Sequence, residues 1–326
     1  MRILFVTATR IGDAVLSTGL LSHVVGRYPG ARLSIAAGPV AAPLFEGVPG
    51  LERLLVMRKQ RAALHWLALY ARTVRHRWDL VVDLRGSALA WLLRAGERRV
   101  MAKGDASEHR VRQLARLFAL DPPPNPVLWT LPRHERSAAA LLPPGPPVLA
   151  IGPAANWRGK EWRAERFAEL ARRLTATGGL LPGARIAVMA AAHERAQAAP
   201  LLAALPPARL IDLVGKTDLL TAAAVLRRCA LFIGNDTGLM HIAAASGAPT
   251  LGLFGPSPTE QYAPWGRRTA VVCTAVPRGK MFGPGFDHRT TDTLMDSLSV
   301  EMAEAAARRL WDRAMTAGAA LGEAAQ

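Results

Sequence analysis

A chain of 326 residues, half of them hydrophobic and a fifth charged, is long enough for two medium domains with separate cores and too apolar to be disordered. The formal net charge of +16 points to an anionic partner: nucleic acid, anionic lipid or a phosphorylated glycolipid. The excess is almost all arginine, with lysine only at 59, 103, 160, 216 and 280. No block of consecutive basic residues, zinc-finger pattern or RNA-recognition motif is visible, so nucleic acid is not the expected partner. Two cysteines, Cys229 and Cys273, cannot build a disulfide framework and are read as free thiols in a reducing compartment.

The start, MRILFVTATRIGD, has too short an apolar run for a signal peptide. The uncharged window Thr237 to Thr259 contains His241, glycines and three prolines and is rejected as a membrane span. A cytoplasmic protein is expected, soluble or bound to a membrane surface.

Taken in order, Arg2 to Val6 reads as a buried strand and Thr7 to Gly12 as a loop. A helix then runs from Asp13 to about Arg27, with Leu16, Leu20 and Val24 on one face. Strands are predicted at 33–36, 51–57, 80–83 and 99–102. Helical stretches are predicted at 61–77 and 108–120. From Asp121 to Pro147 there are nine prolines and little periodicity, the character of an inter-domain connection. A second series follows, with strands at 148–151, 185–190, 209–212, 231–233 and 250–254. Its helices fall at 164–177, 194–205, 219–228 and 239–246, with a last one at 300–312. Alternating strands and helices predict parallel, doubly wound α/β sheets. The expected division is an N-terminal domain over 1–140 and a C-terminal one over 141–326, whose final helix packs back on the first.

The densest signal is Leu231 to Pro256, LFIGNDTGLMHIAAASGAPTLGLFGP: strand, turn, helix, strand. Free N–H groups at Thr237, Gly238 and Leu239 would open the helix, and its dipole favours a phosphate there. The same residues also serve a purely structural turn, with Asp236 as N-cap and Gly238 in the bend. Asp13, just past the first strand, is likewise either an N-cap or a general base. Lys160 is either solvated surface or a cation facing an anion. Glu194 is either a first-turn carboxylate favourable to the helix dipole or an acceptor for ribose hydroxyls.

The string Gly-Asn-Asp-Thr-Gly-Leu-Met-His at 234–241, with Gly-Ala-Pro-Thr at 247–250 and Leu-Phe-Gly-Pro at 253–256, resembles the signature of the glycosyltransferase family 9 heptosyltransferases. Arg10-Ile11-Gly12-Asp13 is similar to that family's N-terminal Gly-Asp motif, and Lys160-x-Trp162 followed by Phe167 to its Lys-x-Trp…Phe pattern. The resemblance implies a GT-B fold, two Rossmann-like parallel-sheet domains facing a cleft. It implies inverting transfer of heptose from ADP-heptose to the lipopolysaccharide inner core, the acceptor being phosphorylated lipid A–Kdo or core oligosaccharide. Domain one would bind the acceptor and domain two the nucleotide sugar, in a monomer at the cytoplasmic face of the inner membrane. In that scheme Gly12 and Asp13 serve the acceptor hydroxyl, with Asp13 as base, and Lys160 faces the donor pyrophosphate. Asp236 contacts the donor sugar, and Thr237, Gly238, Leu239, Met240 and His241 surround the diphosphate and nucleoside, with Glu194 at the ribose. Arg163 stands where the family often has proline. Arg10, Arg58, Lys59, Arg61 and Arg85 are candidates to meet an acidic acceptor.

There is no Asp-x-Asp triplet and no clustered His/Cys metal motif, so transfer without a metal or other cofactor is expected. The absence of Gly-x-Gly-x-x-Gly after the first strand, and of a P-loop pattern, argues against a dinucleotide oxidoreductase or a kinase. Two alternatives stay open: a GT-B enzyme with another nucleotide sugar, and a non-catalytic basic protein that binds anionic lipid or nucleic acid.

Overall fold

The computed structural model describes residues 1–102, 104–283 and 285–323, which divide into two compact units, Met1–Leu131 and Pro132–Gln326. The first unit runs β1 (Arg2–Val6), α1 (Ile11–Arg27), β2 (Arg32–Ala37), β3 (Leu51–Val56), α2 (Leu64–Thr73), β4 (Trp78–Asp83), α3 (Leu89–Leu92), β5 (Ala95–Val100) and α4 (Arg110–Ala115). Its sheet is parallel in the order β3-β2-β1-β4-β5. The central strands are continuous apolar runs because helices cover both faces: Ile3, Leu4, Phe5 and Val6 are all fully buried. The edge strand β5 carries Glu97, Arg98 and Arg99 and buries no residue completely. That is why its sequence signal was weak and its expected position, 99–102, lay too far along the chain.

The second unit begins with α5 (Pro132–Leu141) and continues β6 (Val148–Gly152), α6 (Ala164–Thr175), β7 (Arg185–Val188), α7 (Arg195–Ala204) and β8 (Leu210–Asp212). It then runs α8 (Leu219–Leu226), β9 (Leu231–Asn235), α9 (Gly238–Ala245), β10 (Thr250–Phe254), α10 (Thr259–Tyr262), β11 (Thr269–Cys273) and α11 (Val300–Glu323). The order is β11-β10-β9-β6-β7-β8, all parallel. Two expectations need correction. The proline-rich connection contains α5, which packs on α8: Pro132 opens it, where a missing N–H costs nothing, and Ala138 is its buried contact. The sixth strand, β11, had not been expected, because of its five residues only Val272 is buried.

Both sheets reverse their winding direction once. In the first unit the chain goes β1, β2, β3 to one side and then β4, β5 to the other. In the second it goes β6, β7, β8 and then β9, β10, β11. The switch points lie between β1 and β4 and between β6 and β9, and the loops at their carboxyl ends are where such sheets take ligands. In the second unit a row of glycines crosses three neighbouring strands, with Gly152 paired to Gly234 and Gly234 to Gly252. A Cβ on Gly252 would come within 2.6 Å of Met240 Sδ, and one on Gly152 within 3.3 Å of Leu239 Cδ2. The row therefore lets the first turn of α9 settle directly on the sheet.

Candidate active site

At the β6/β9 switch point the two strand ends carry the family-like motifs, and the structure joins them. The loop after β6 closes in a short 3-10 turn, Arg158–Lys160. From it Lys160 Nζ donates to Asp236 Oδ2 at 2.7 Å, across 76 residues of sequence. Asp236 is buried and Lys160 partly so. Of the two readings of Asp236, the N-cap of α9 is not the one the structure shows: Thr237 holds that position, in extended conformation and with no side-chain bond to the helix. The reason is that Asp236 is drawn to Lys160 instead. Gly238 and Leu239 are the first residues of α9, and among the described residues nothing accepts from their N–H groups. Thr237, Gly238 and Leu239 are partly exposed, so the donors are accessible. A fixed ammonium, a helix N-terminus and a threonine hydroxyl thus converge on a site suited to an anion. Met240 and His241 lie deeper: the Met240 side chain is fully buried against Gly252, and His241 is buried one turn into the helix.

Asn235 is a residue whose role the sequence did not disclose. Fully buried at the end of β9, it donates from Nδ2 to the Pro153 carbonyl at 2.7 Å and accepts from Trp162 N–H at 3.2 Å. It clamps both ends of the Lys160 loop to the strand that carries Asp236. A second clamp comes from residues 292–298. Arg158 bonds buried Glu161 and exposed Asp292. Arg163, in place of the family's frequent proline, caps α6 and pairs with Asp296 at 2.6 Å and Asp292 at 3.0 Å. Its guanidinium holds the Asp296 carboxyl below the ordinary carboxylate value. Replacing Asn235 with alanine leaves a buried carbonyl and a buried N–H unpaired. The expected result is a loss of about 1–3 kcal/mol of stability, measured by denaturant unfolding, together with weaker nucleotide binding as the Lys160 loop loosens.

Glu194 follows β7, the neighbour of β6, so it stands at the same edge of the sheet. Its Oε2 accepts the Ala191 N–H at 2.7 Å, which fixes the turn and leaves Oε1 on a partly exposed side chain.

In the first unit, Asp13 is not an N-cap: α1 starts at Ile11, after Arg10, and Asp13 sits in the first turn beside Gly12. The helix dipole favours negative charge there, and the carboxylate is partly exposed. Across the β1/β4 switch point, buried Asp83 accepts the N–H groups of Arg85 and Ser87 and shapes the next loop. From that loop Arg85 reaches Thr9 at 3.4 Å. Arg10, Arg58, Lys59, Arg61 and Arg85 all follow the carboxyl ends of β1, β3 and β4 and are exposed, so one rim of the sheet is basic. Among the described residues no three His, Cys, Asp or Glu side chains gather as metal ligands, and no helix is long and apolar enough to cross a membrane.

Two parallel-sheet α/β units, with a turn suited to an anion at the switch point of the second, have the architecture of the GT-B class of glycosyltransferases. Comparison with known proteins agrees. The profile of glycosyltransferase family 9 (heptosyltransferase) matches residues 68–283. Lipooligosaccharide heptosyltransferase 2 of Haemophilus influenzae is 25% identical over 304 residues, covering 81% of this chain and 86% of the relative. Lipopolysaccharide heptosyltransferase 1 of Pseudomonas aeruginosa is 28% identical over 295 residues, covering 79% of each. Among solved structures, a family 9 glycosyltransferase from Veillonella parvula superposes with a TM-score of 0.76 at 19% identity, over 95% of this chain and 97% of that one. The ADP-heptose lipopolysaccharide heptosyltransferase II of E. coli gives a TM-score of 0.72 at 19% identity, over 95% and 98%. The chain belongs to glycosyltransferase family 9.

Proposed function

We propose that this enzyme transfers heptose from ADP-heptose to a phosphorylated inner-core acceptor of lipopolysaccharide, inverting the anomeric centre. The observation that carries the donor half is the Lys160–Asp236 contact at the N-terminus of α9. The donor pyrophosphate lies against the Gly238 and Leu239 N–H groups and the Thr237 hydroxyl, with Lys160 beside it. As the sugar–oxygen bond breaks, negative charge grows on the departing ADP, and these fixed dipoles and the ammonium stabilise it without reorganising. Asp236 turns its carboxylate to Lys160 and to the sugar, and Glu194 offers its second oxygen to ribose hydroxyls. Asp13 removes the proton from the acceptor hydroxyl, which attacks the anomeric carbon from the face opposite ADP. The basic rim of the first unit receives the phosphates of the acceptor. Relatives named for lipopolysaccharide and lipooligosaccharide heptose transfer support this assignment.

The test is calorimetric titration of the purified protein with ADP, UDP and GDP in the absence of added metal, followed by turnover with ADP-heptose. Selective ADP binding and heptose transfer are expected. A preference for UDP or GDP would keep the site and overturn the donor. Binding of no nucleotide, even with acceptor present, would overturn the donor site itself.

A further inference from the structure

The first unit exposes large apolar side chains on two of its helices. On α2, Leu64 and Leu67 are 50% and 62% exposed, while Leu69 is buried. On α3, Trp91 and Leu92 are 68% and 63% exposed, while Leu89 and Ala90 beneath them are buried. Leu69, Leu89, Ala90 and Leu93 belong to one core cluster with Leu4, Val6 and Val81, so both helices cover the same face of the sheet. Leu64 follows the carboxyl end of β3, whereas α3 leads into β5, whose start pairs with the start of β4; the strands beneath the two helices, β3 and β4, are three spacings or about 14 Å apart.

Along these two segments the charge has one sign. From Met57 to Arg77 the chain has no Asp or Glu and carries Arg58, Lys59, Arg61, Arg72, Arg75 and Arg77; from Leu84 to Gly96 it has none and carries Arg85 and Arg94. Apolar side chains standing out among exposed cations are the pattern of a surface that lies on an anionic bilayer: the cations meet the headgroups and the leucines and tryptophan enter the acyl boundary. A protein partner would more often bury a contiguous apolar patch with few charges at its centre.

We infer that the α2/α3 face of the first unit docks on an anionic lipid surface through Leu64, Leu67, Trp91 and Leu92. The inference rests on the reading of a lipid-linked acceptor, since α2 begins at the rim that carries the basic residues proposed to meet it. Docking would then deliver the acceptor headgroup to the rim from the membrane, not from solution.

The experiment is co-sedimentation of the full chain with phosphatidylglycerol/phosphatidylcholine vesicles and with phosphatidylcholine alone, for the natural sequence and for Leu67→Ser/Trp91→Ser. Melting temperature, light scattering and turnover on a delipidated acceptor are read in parallel. Expected are binding to the anionic vesicles only, weakening as salt screens the charges, and about tenfold or greater loss in the double variant. Melting temperature and turnover on the delipidated acceptor stay unchanged. Equal binding by both proteins would overturn the inference, as would no binding by either. So would a dimer in the absence of lipid that becomes monomeric in the variant, since the patch would then be covered by a second copy. Failure of turnover with intact, variant-sensitive vesicle binding would sink the proposed chemistry and leave the docking face standing.

Discussion

Asp13→Ala is expected to lower turnover by about 10²–10⁴-fold while leaving the fold and ADP affinity intact. The sugar hydroxyl is a weak nucleophile at neutral pH, and a carboxylate in the first turn of α1 is placed to take its proton. The same position limits the structural cost. Asp13 is not the N-cap, so its removal does not uncap α1, and the charge–dipole contact it gives up is worth roughly 0.3–1 kcal/mol. Activity and stability should therefore separate. The measurement is kcat with saturating ADP-heptose and acceptor, alongside thermal unfolding and ADP titration. Asp13→Asn, which keeps the size and removes the basicity, should behave like alanine. Turnover near that of the unaltered enzyme in either variant would sink the assignment of the base.

Lys160→Ala is expected to damage binding and chemistry together. The ammonium sits 2.7 Å from Asp236 and beside the N-terminus of α9, so its removal takes away the cation expected to face the departing diphosphate. Loss of one such preorganised contact commonly costs about 10²–10³-fold in kcat. A second effect follows from burial. Asp236 is 8% exposed, and without its cation it stands as a negative charge at the place proposed for the pyrophosphate. ADP affinity should fall further than loss of a neutral contact would explain, and stability should fall by about 1–3 kcal/mol. Adding Asp236→Asn to the lysine variant should restore part of the stability and part of the ADP affinity, without restoring turnover. A double-mutant cycle in denaturant and in calorimetry reads this coupling. Additive effects of the two substitutions would mean that the ion pair is not what organises the site.

The two predictions lie on opposite sides of what could be read from residues alone. The 231–256 strand–turn–helix–strand unit was legible because its signals are local. Apolar runs of four to five residues, a glycine-bearing turn and a short alanine-rich helix follow directly from side-chain preference and period. The parallel α/β class was legible for the same reason. Elements without a local signal were missed. The α5 helix lies between prolines and shows only its burial of His134 and Ala138. The β11 strand buries one residue in five, and β5 is a charged edge. These gain their structure from the sheet or helix they meet, which no short window contains.

What the sequence by itself determined was therefore the kind of sheet, the places where its loops follow strand ends, and the chemistry each loop could offer. What only the tertiary structure decided was which of those loops meet. The Lys160–Asp236 pair, the Asn235 clamp and the Arg163–Asp296 bridge join residues separated by 76, 73 and 133 positions. Each depends on β6 and β9 becoming neighbours at a switch point, and on the 292–298 segment returning to the β6 loop. Hydrogen bonds and ion pairs act over a few ångströms, so their partners are fixed by the packing of the elements that carry them. That packing is also why Asp236 serves the lysine and Thr237 the cap, when local preference alone had assigned the cap to the aspartate.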